Sequence, residues 1–371
     1  SLTAGAAGGY VLPDIFLKVN PPKEQDKRAE KPADEQERTE LDKIGQAYDL
    51  IQEHYVEKTD KEQLLTGAIQ GMLASLDDPY SVYMDKQTAQ QFNQSLDSAF
   101  EGIGTEIGVE NGKVVIVSPY KNSPAEKAGL KPKDQIVAVD GKDVSGLNVQ
   151  EVSVKIRGKK GTYVDLEIKR PGVEKKLKFS IKREKIPIET VLSEMKDDDV
   201  GYIEISSFSE KTALDFKAQL DSLERKDMKG LIIDVRGNPG GLLSSVEEIL
   251  LELVPKDEPY LQIEKRNGER SKYYSKLEKK KSYPIAVLID KGSASASEIL
   301  AGAMKEAGGY ALIGETTFGK GTVQQAVPMD DGSNIKLTLY KWLTPEGNWI
   351  HGDGIKPTVA ISQPALFDTH P

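Results

Sequence analysis

The chain has 371 residues, room for two or three domains, and a formal charge of -9, which leaves no broad basic surface for nucleic acid. It has no cysteine, so thiol catalysis, disulfides and thiolate metal sites are excluded, and its three histidines, His54, His351 and His370, leave little material for an imidazole mechanism. No segment reaches the roughly 18 apolar residues of a membrane span.

Residues 1–19 are small and mildly apolar; Asn20-Pro21-Pro22-Lys23 and a charged stretch to Glu40 follow. This reads either as the outer edge of a removed membrane anchor with its linker or as a disordered N-terminus. Over 42–56, Ile44, Ala47, Tyr48, Ile51 and Tyr55 recur at three- and four-residue spacing and predict an amphipathic helix. Leu64, Leu65, Ala68, Ile69, Met72 and Leu73 predict a second, which Asp77-Asp78-Pro79 breaks, and residues 88–99 read as a third. This helical region carries no catalytic-looking cluster and reads as a packing or dimerisation module.

The pattern changes near Phe100. Residues 107–117 alternate around a turn at 110–113, a hairpin signal. Ser123, Pro124 and Glu126 open a short helix that Gly129 stops. A strand and turn at 135–141, a helix at 149–156 and alternating strands at 163–170 and 176–183 complete a module of roughly 85 residues. Glu101-Gly102-Ile103-Gly104, Ser123-Pro124-Ala125 with Ala128-Gly129-Leu130, and Asp134 through Asp140-Gly141 resemble a PDZ domain of the bacterial protease type. That resemblance implies peptide binding by strand addition, with Gly102, Ile103 and Gly104 as the carboxylate loop. Arg157, beside the 149–156 helix, is a candidate carboxylate partner or sensor, or a surface arginine paired with an acid.

After Pro187 strands and helices alternate: strand 200–207, helix 212–223, strand 230–236, helix 242–253, strand 285–289, helix 295–307 and strand 310–314. Such alternation implies βαβ crossovers and a largely parallel core. The run Lys279-Lys280-Lys281 reads as a solvated loop.

Two segments carry chemistry. Lys291-Gly292-Ser293-Ala294-Ser295-Ala296-Ser297-Glu298 lies between a buried strand and a helix, where free N–H groups and the helix dipole suit a developing oxyanion. Taken alone, Ser295 with Glu298 three residues on also fits a capping box. Gly314 to Thr322 looks like a phosphate loop, but Gly321 occupies the Ser/Thr position and 322–327 alternates as a strand where a phosphate loop opens a helix. Lys320 is then either a solvated turn lysine or an inward-pointing, desolvated amine able to act as a base.

Together these segments resemble the carboxyl-terminal processing, or tail-specific, peptidases, in the order that Gly292 to Glu298, Gly314-Glu315 and Phe318-Gly319-Lys320-Gly321 give. The resemblance implies that Ser295 is the nucleophile, that Lys320, 25 residues later, is the general base, and that Gln324 orients it, with Gln325 as the rival for that place. It also implies an oxyanion hole from the Gly241 and Ala296 N–H groups, Gly241 closing the glycine-rich loop 234–241.

The resulting expectation is an α/β multidomain protein: a crotonase-like ββα protease core with an inserted PDZ domain and an N-terminal helical region. Its divisions fall at 1–40 (anchor remnant or linker), 41–97 (helical), 98–185 (PDZ), 186–361 (protease core) and 362–371 (tail). The expected protein is a serine endopeptidase needing no metal or organic cofactor. It takes protein substrates with free C-termini, which the PDZ module recognises while it can gate activity. The expected setting is a homodimer outside the bacterial cytoplasm, secreted, periplasmic or anchored to the membrane at its N-terminus. The alternatives are a Ser-His hydrolase using His351, which stands in a glycine-rich loop two residues before Asp353, a silent PDZ scaffold, and an enoyl-CoA-hydratase-like enzyme.

Overall fold

The computed structural model describes residues 35–97 and 99–361, so most of the segment expected to be an anchor or linker, the tail 362–371 and His370 lie outside the described residues. Helix α1 (Glu35–His54) begins before the boundary expected at residue 41. Helix α2 (Lys61–Ala74) is capped by Asp60, whose side chain accepts from Gln63 N at 3.0 Å. Strand β1 (Val82–Met84) follows, then helix α3 (Lys86–Leu96). The third helix stops short of residue 99 because Ala99 is drawn into a sheet pairing. Leu41, Ile44, Leu50, Ile51 and Tyr55 of this region are exposed, so the apolar stripe of α1 faces outward in the single chain. Among the described residues no helix is long and apolar enough to cross a membrane.

Residues 94–189 form one compact unit, and the other described residues form a second. In the smaller unit β2 (Ala99–Gly102), β3 (Thr105–Glu110) and β4 (Lys113–Pro119) precede helix α4 (Pro124–Ala128). Then come β5 (Gln135–Val139), β6 (Lys142–Asp143), helix α5 (Val149–Ile156), β7 (Tyr163–Lys169), β8 (Leu177–Lys182) and β9 (Glu184–Pro187). The sheet runs β3-β4-β5-β7-β8, with β6 on β5, and β2 pairs with β9. Ile103, Ile116, Ile136, Val152, Val164 and Ile168 fill its core. Two arginines tie it together: Arg170 grips Asp134 with two bonds of 2.7 Å, and Arg183 donates to the Ile156 carbonyl at 2.8 Å and the Tyr163 carbonyl at 2.7 Å.

The larger unit continues with β10 (Val191–Lys196), β11 (Val200–Ile205), helix α6 (Thr212–Glu224), β12 (Gly230–Asp234) and helix α7 (Leu243–Leu253). Next are β13 (Pro259–Glu264), β14 (Arg270–Tyr274), β15 (Ile285–Ile289), helix α8 (Ala296–Glu306) and β16 (Ala311–Gly314). Strands β17 (Thr322–Pro328), β18 (Asn334–Leu343) and β19 (Val359–Ala360) end it. The expected parallel sheet is present, in the order β10-β11-β12-β15-β16-β19, with β10 antiparallel at its edge. A second, antiparallel sheet was not foreseen: β1-β18-β13-β14, with β17 also on β18. One core collects Ile203, Ile233 and Val287 from the first sheet, Leu220, Leu250 and Leu300 from the helices, and Leu261 and Trp342 from the second. Side chains of this size each contribute about 1.5–3 kcal/mol on burial, enough to fix the registers that aim the loops below.

Candidate active site

Loop 290–295 carries the chain from β15 to α8 and is pinned at both ends by polar side chains. Asp290 Oδ1 accepts from Gly292 N at 2.9 Å and, across the sheet, from Gly237 N at 2.8 Å. The three serines of the motif divide their work. Ser293 Oγ donates to the Val235 carbonyl at 2.8 Å, and Ser297 Oγ to the Asn238 carbonyl at 2.9 Å. Both fasten the serine loop to loop 235–241. Ser295 alone of the three sits with φ 59° and ψ -114°, a left-handed conformation rare for a residue with a Cβ. Such strain costs about 1–3 kcal/mol and is held in place by the surrounding structure. Ser295 is fully buried at the start of α8.

Glu298 joins this serine to the lysine. Its Oε2 accepts from Ser295 N at 2.8 Å and from Lys320 N at 2.8 Å. Its Oε1 accepts from Gly319 N at 2.6 Å and from Thr317 Oγ1 at 2.6 Å. One carboxylate oxygen thus holds the backbones of Ser295 and Lys320 side by side. Burial pushes the Glu298 carboxyl above its ordinary range, against the pull of these four donors. The glutamate that fits a capping box in sequence therefore spans two loops.

Lys320 is 1 % exposed, and strand β17, not a helix, follows it. Burial, reinforced by the neighbouring positive charge of Lys336, draws its amine down to about 6. Lys336 itself is drawn down to about 8 by burial, opposed by Asp78. The Lys320 Nζ stands 4.4 Å from the centroid of the Tyr80 ring. The Lys320 carbonyl accepts from Trp342 Nε1 at 2.8 Å, and the Gly321 carbonyl from Trp349 Nε1 at 2.8 Å, which locks the loop on both sides of the lysine.

Gln324 is fully buried on β17, its Nε2 donating to Thr322 Oγ1 and Thr338 Oγ1 at 2.9 Å each, while Gln325 is only half-buried. Its Oε1 is buried and accepts no hydrogen bond from the described residues. Burial along β17 does not alternate as the sequence implies, because Thr322, Val323 and Gln324 are all buried and the pairing with β18 shifts register between Val323 and Gln324. His351 is exposed and stacks on Trp349 at 5.1 Å, and its Nδ1 accepts from Gly321 N at 3.4 Å. It adjoins the lysine loop through backbone. Asp353 is also exposed.

Loop 235–241 lies against Ser295. A Cβ on Gly240, whose φ is +106°, would come within 2.8 Å of Ser295 Cβ and 3.0 Å of Ala296 N, so only glycine fits. The Gly240 carbonyl accepts from Phe208 N at 2.9 Å and the Phe208 carbonyl from Leu242 N at 2.7 Å, a bridge in which the Gly241 N–H takes no part. The Ala296 N–H, at the first position of α8, belongs to the helix turn that has no intrahelical partners.

In the smaller unit, Gly102, Ile103, Gly104 and Arg157 line one cavity with Phe100 and Tyr120. The Ile103 carbonyl accepts from Ala125 N at 2.8 Å and the Gly104 carbonyl from Tyr120 N at 3.0 Å. The Arg157 guanidinium lies 5.0 Å from the Phe100 ring centroid. Among the described residues no group of acids and histidines is placed to hold a metal ion.

Sequence reasoning overlooked Tyr80, Asp290 and Lys336. Asp78-Pro79-Tyr80 reads in sequence only as a helix break, and nothing local marks it as a neighbour of Lys320.

Residues 199–361 match the family described as Peptidase family S41, residues 115–170 match a PDZ domain, and residues 2–88 match the Activating protease CtpB N-terminal domain. The chain is 59% identical over 374 residues to the carboxy-terminal processing protease CtpB of Bacillus subtilis (strain 168), covering 100% of this chain and 78% of that one. It is 50% identical over 326 residues to the carboxy-terminal processing protease CtpA of the same organism, covering 88% of this chain and 70% of that one. Among solved structures, the photosystem II D1 C-terminal processing protease superposes with a TM-score of 0.52 at 28% identity, covering 86% of this chain and 92% of that chain. Fold and sequence together define a serine-type peptidase that carries a PDZ domain and takes peptide substrates. More particularly, the chain belongs to peptidase family S41.

Proposed function

We propose that the enzyme is an endopeptidase of the carboxy-terminal processing kind, in which Ser295 and Lys320 form the catalytic dyad on a crotonase-like core. The observation that carries this reading is the single Glu298 oxygen shared by the backbones of Ser295 and Lys320, beside a lysine buried deeply enough to be neutral at neutral pH. Neutral Lys320 takes the Ser295 hydroxyl proton as the oxygen attacks the peptide carbonyl. The Gly241 and Ala296 N–H groups receive the oxyanion, and the ammonium of Lys320 then protonates the leaving amine as the C–N bond breaks. Water hydrolyses the ester of Ser295 by the same steps, with Lys320 again as base. Gln324 orients the amine through its buried Oε1.

His351 is a poorer candidate for the base, because it is exposed and its Nδ1 already accepts a backbone N–H. Ser295→Ala and Lys320→Ala are each expected to abolish cleavage of an unstructured protein, while His351→Ala keeps it. Activity that survives Lys320→Ala and vanishes with His351→Ala would overturn the dyad.

In the PDZ domain the committed carbonyls of Ile103 and Gly104 leave the loop's N–H groups to hold a substrate carboxylate, with Arg157 as the charged partner that lets occupancy gate cleavage. Amidating a substrate's C-terminus is expected to slow its cleavage; equal rates for acid and amide refute carboxylate selection. The exposed apolar stripe of α1 supports a homodimer, and the lack of cysteine accords with a site of action outside the bacterial cytoplasm.

A further inference from the structure

The N-terminal segment supplies a wall of the catalytic site. Tyr80, between α2 and β1, presents its ring face 4.4 Å from Lys320 Nζ. The segment that carries it is firmly held. Asp78 Oδ1 accepts from Tyr80 N at 3.0 Å, and its Oδ2 from Ser81 Oγ at 2.6 Å. Ser81 Oγ accepts in turn from Thr338 N at 3.1 Å, and Val82 pairs with Lys336 where β1 joins β18. The Tyr80 ring meets His351 edge-on, with centroids 6.2 Å apart.

A ring face attracts an ammonium far more than a neutral amine, and most strongly where water is excluded. Lys320, 1 % exposed, meets that condition. The ring therefore favours the form that Lys320 takes after it has accepted a proton. We propose that Tyr80 is a positioning residue for Lys320: its ring face receives the ammonium formed when the base takes the Ser295 proton and holds it ready to protonate the leaving amine. This rests on the dyad reading above. It gives the N-terminal region a part in the reaction in addition to packing.

Several charged or titratable groups face the lysine. Glu298 of α8 holds its backbone N–H, Lys336 of β18 repels its charge, His351 sits beyond Gly321, and Asp78 lies behind Tyr80 and close to Lys336. Burial and Lys336 favour the neutral amine. Tyr80 favours the cation without carrying a charge.

The test is the acid limb of kcat/KM, measured with the full chain and an internally quenched peptide between about pH 5 and pH 9. Position 80 is varied as Tyr80→Phe, as phenylalanine bearing one, two or three ring fluorines, and as Tyr80→Leu. Fluorine drains the ring face while keeping its shape. The midpoint is expected to stay within about a quarter of a unit in Tyr80→Phe and to fall stepwise with fluorination, reaching about half a unit to one unit lower. Tyr80→Leu falls by a similar amount. A midpoint indifferent to fluorination, or one that rises, overturns the proposal; a purely structural tyrosine would alter stability or KM and leave the midpoint in place. Lys320→Ala separates the two readings. If it is inactive while the fluorine series leaves the midpoint fixed, only the role of Tyr80 fails; if it keeps its activity, the dyad fails and takes this role with it.

Discussion

Replacing Lys320 with methionine should abolish activity and make the protein more stable, by an amount that depends on pH. Free lysine titrates near ~10.4. In the fold, burial and Lys336 bring Lys320 to about 6. Between these values the unfolded chain binds the proton and the folded chain does not, so the contribution of Lys320 to stability rises with pH across that window. Each unit is worth about 1.4 kcal/mol, so the penalty is about 4–5 kcal/mol at pH 7, about 2 kcal/mol at pH 9, and levels near 6 kcal/mol below the folded value. Methionine fills much the same volume without a charge to desolvate, and part of the gain is lost to imperfect packing, which leaves about 2–4 kcal/mol at pH 7. Urea unfolding of parent and Lys320→Met at pH 6, 7 and 9 reads this out as a gap that narrows as pH rises. A gap that does not change with pH, or a methionine variant less stable than its parent, would refute the claim that the base is made by burial.

Three further outcomes follow from the same geometry. The acid limb of kcat/KM should have its midpoint near the value of about 6 set for Lys320, should survive His351→Ala, and should move to higher pH in Lys336→Met, which removes the neighbouring cation; a pH-rate profile measures all three. Glu298→Gln should lower kcat on the order of 100-fold with KM little changed, because an amide can accept on only one side of the four donors and faces the others with its own N–H groups; steady-state kinetics beside circular dichroism checks that the loss is not unfolding. Gly240→Ala should cost on the order of 100-fold or more in acylation of Ser295, since its methyl would press on Ser295 Cβ and the Ala294 carbonyl; the rate of labelling by a fluorophosphonate reports it directly.

The site was legible in sequence where its residues are neighbours along the chain. The serine-rich strand-to-helix loop and the glycine-flanked lysine can each be seen as unusual, whereas the alternation expected along 322–327 is not seen in the burial of β17, where Thr322, Val323 and Gln324 are all buried and the register shifts between Val323 and Gln324. Local pattern failed where function depends on distant pairings. Tyr80 reaches Lys320 because β1 pairs with β18 and Ser81 bonds to Thr338, and neither fact leaves a trace near residue 80. The antiparallel sheet was missed for related reasons. In β13 the burial runs almost unbroken and gives no alternation, whereas β14 is a mostly exposed edge with little apolar signal. The exposed apolar stripe of α1 shows the converse limit, since periodicity reveals an apolar face and not what covers it.

The charges around Lys320 show how a buried acid and a buried base can share one site without neutralising each other's purpose. A carboxylate aimed at the Lys320 amine would favour the ammonium and spoil the base. Glu298 instead spends both oxygens on three backbone N–H groups and one hydroxyl, so its charge is answered by donors that do not titrate. Lys336 beside Lys320 pushes its amine toward the neutral form, the direction the proposed dyad needs, and Asp78 favours the charged form of Lys336. Removing Asp78 would thus weaken Lys336 as a cation and relax the pressure on Lys320, although Asp78 supplies no atom to the reaction. On the proposed dyad, the N-terminal segment that carries Asp78 and Tyr80 therefore acts on Lys320 in two opposite senses, Asp78 supporting the charge that lowers its proton affinity and Tyr80 stabilising the proton once it has arrived.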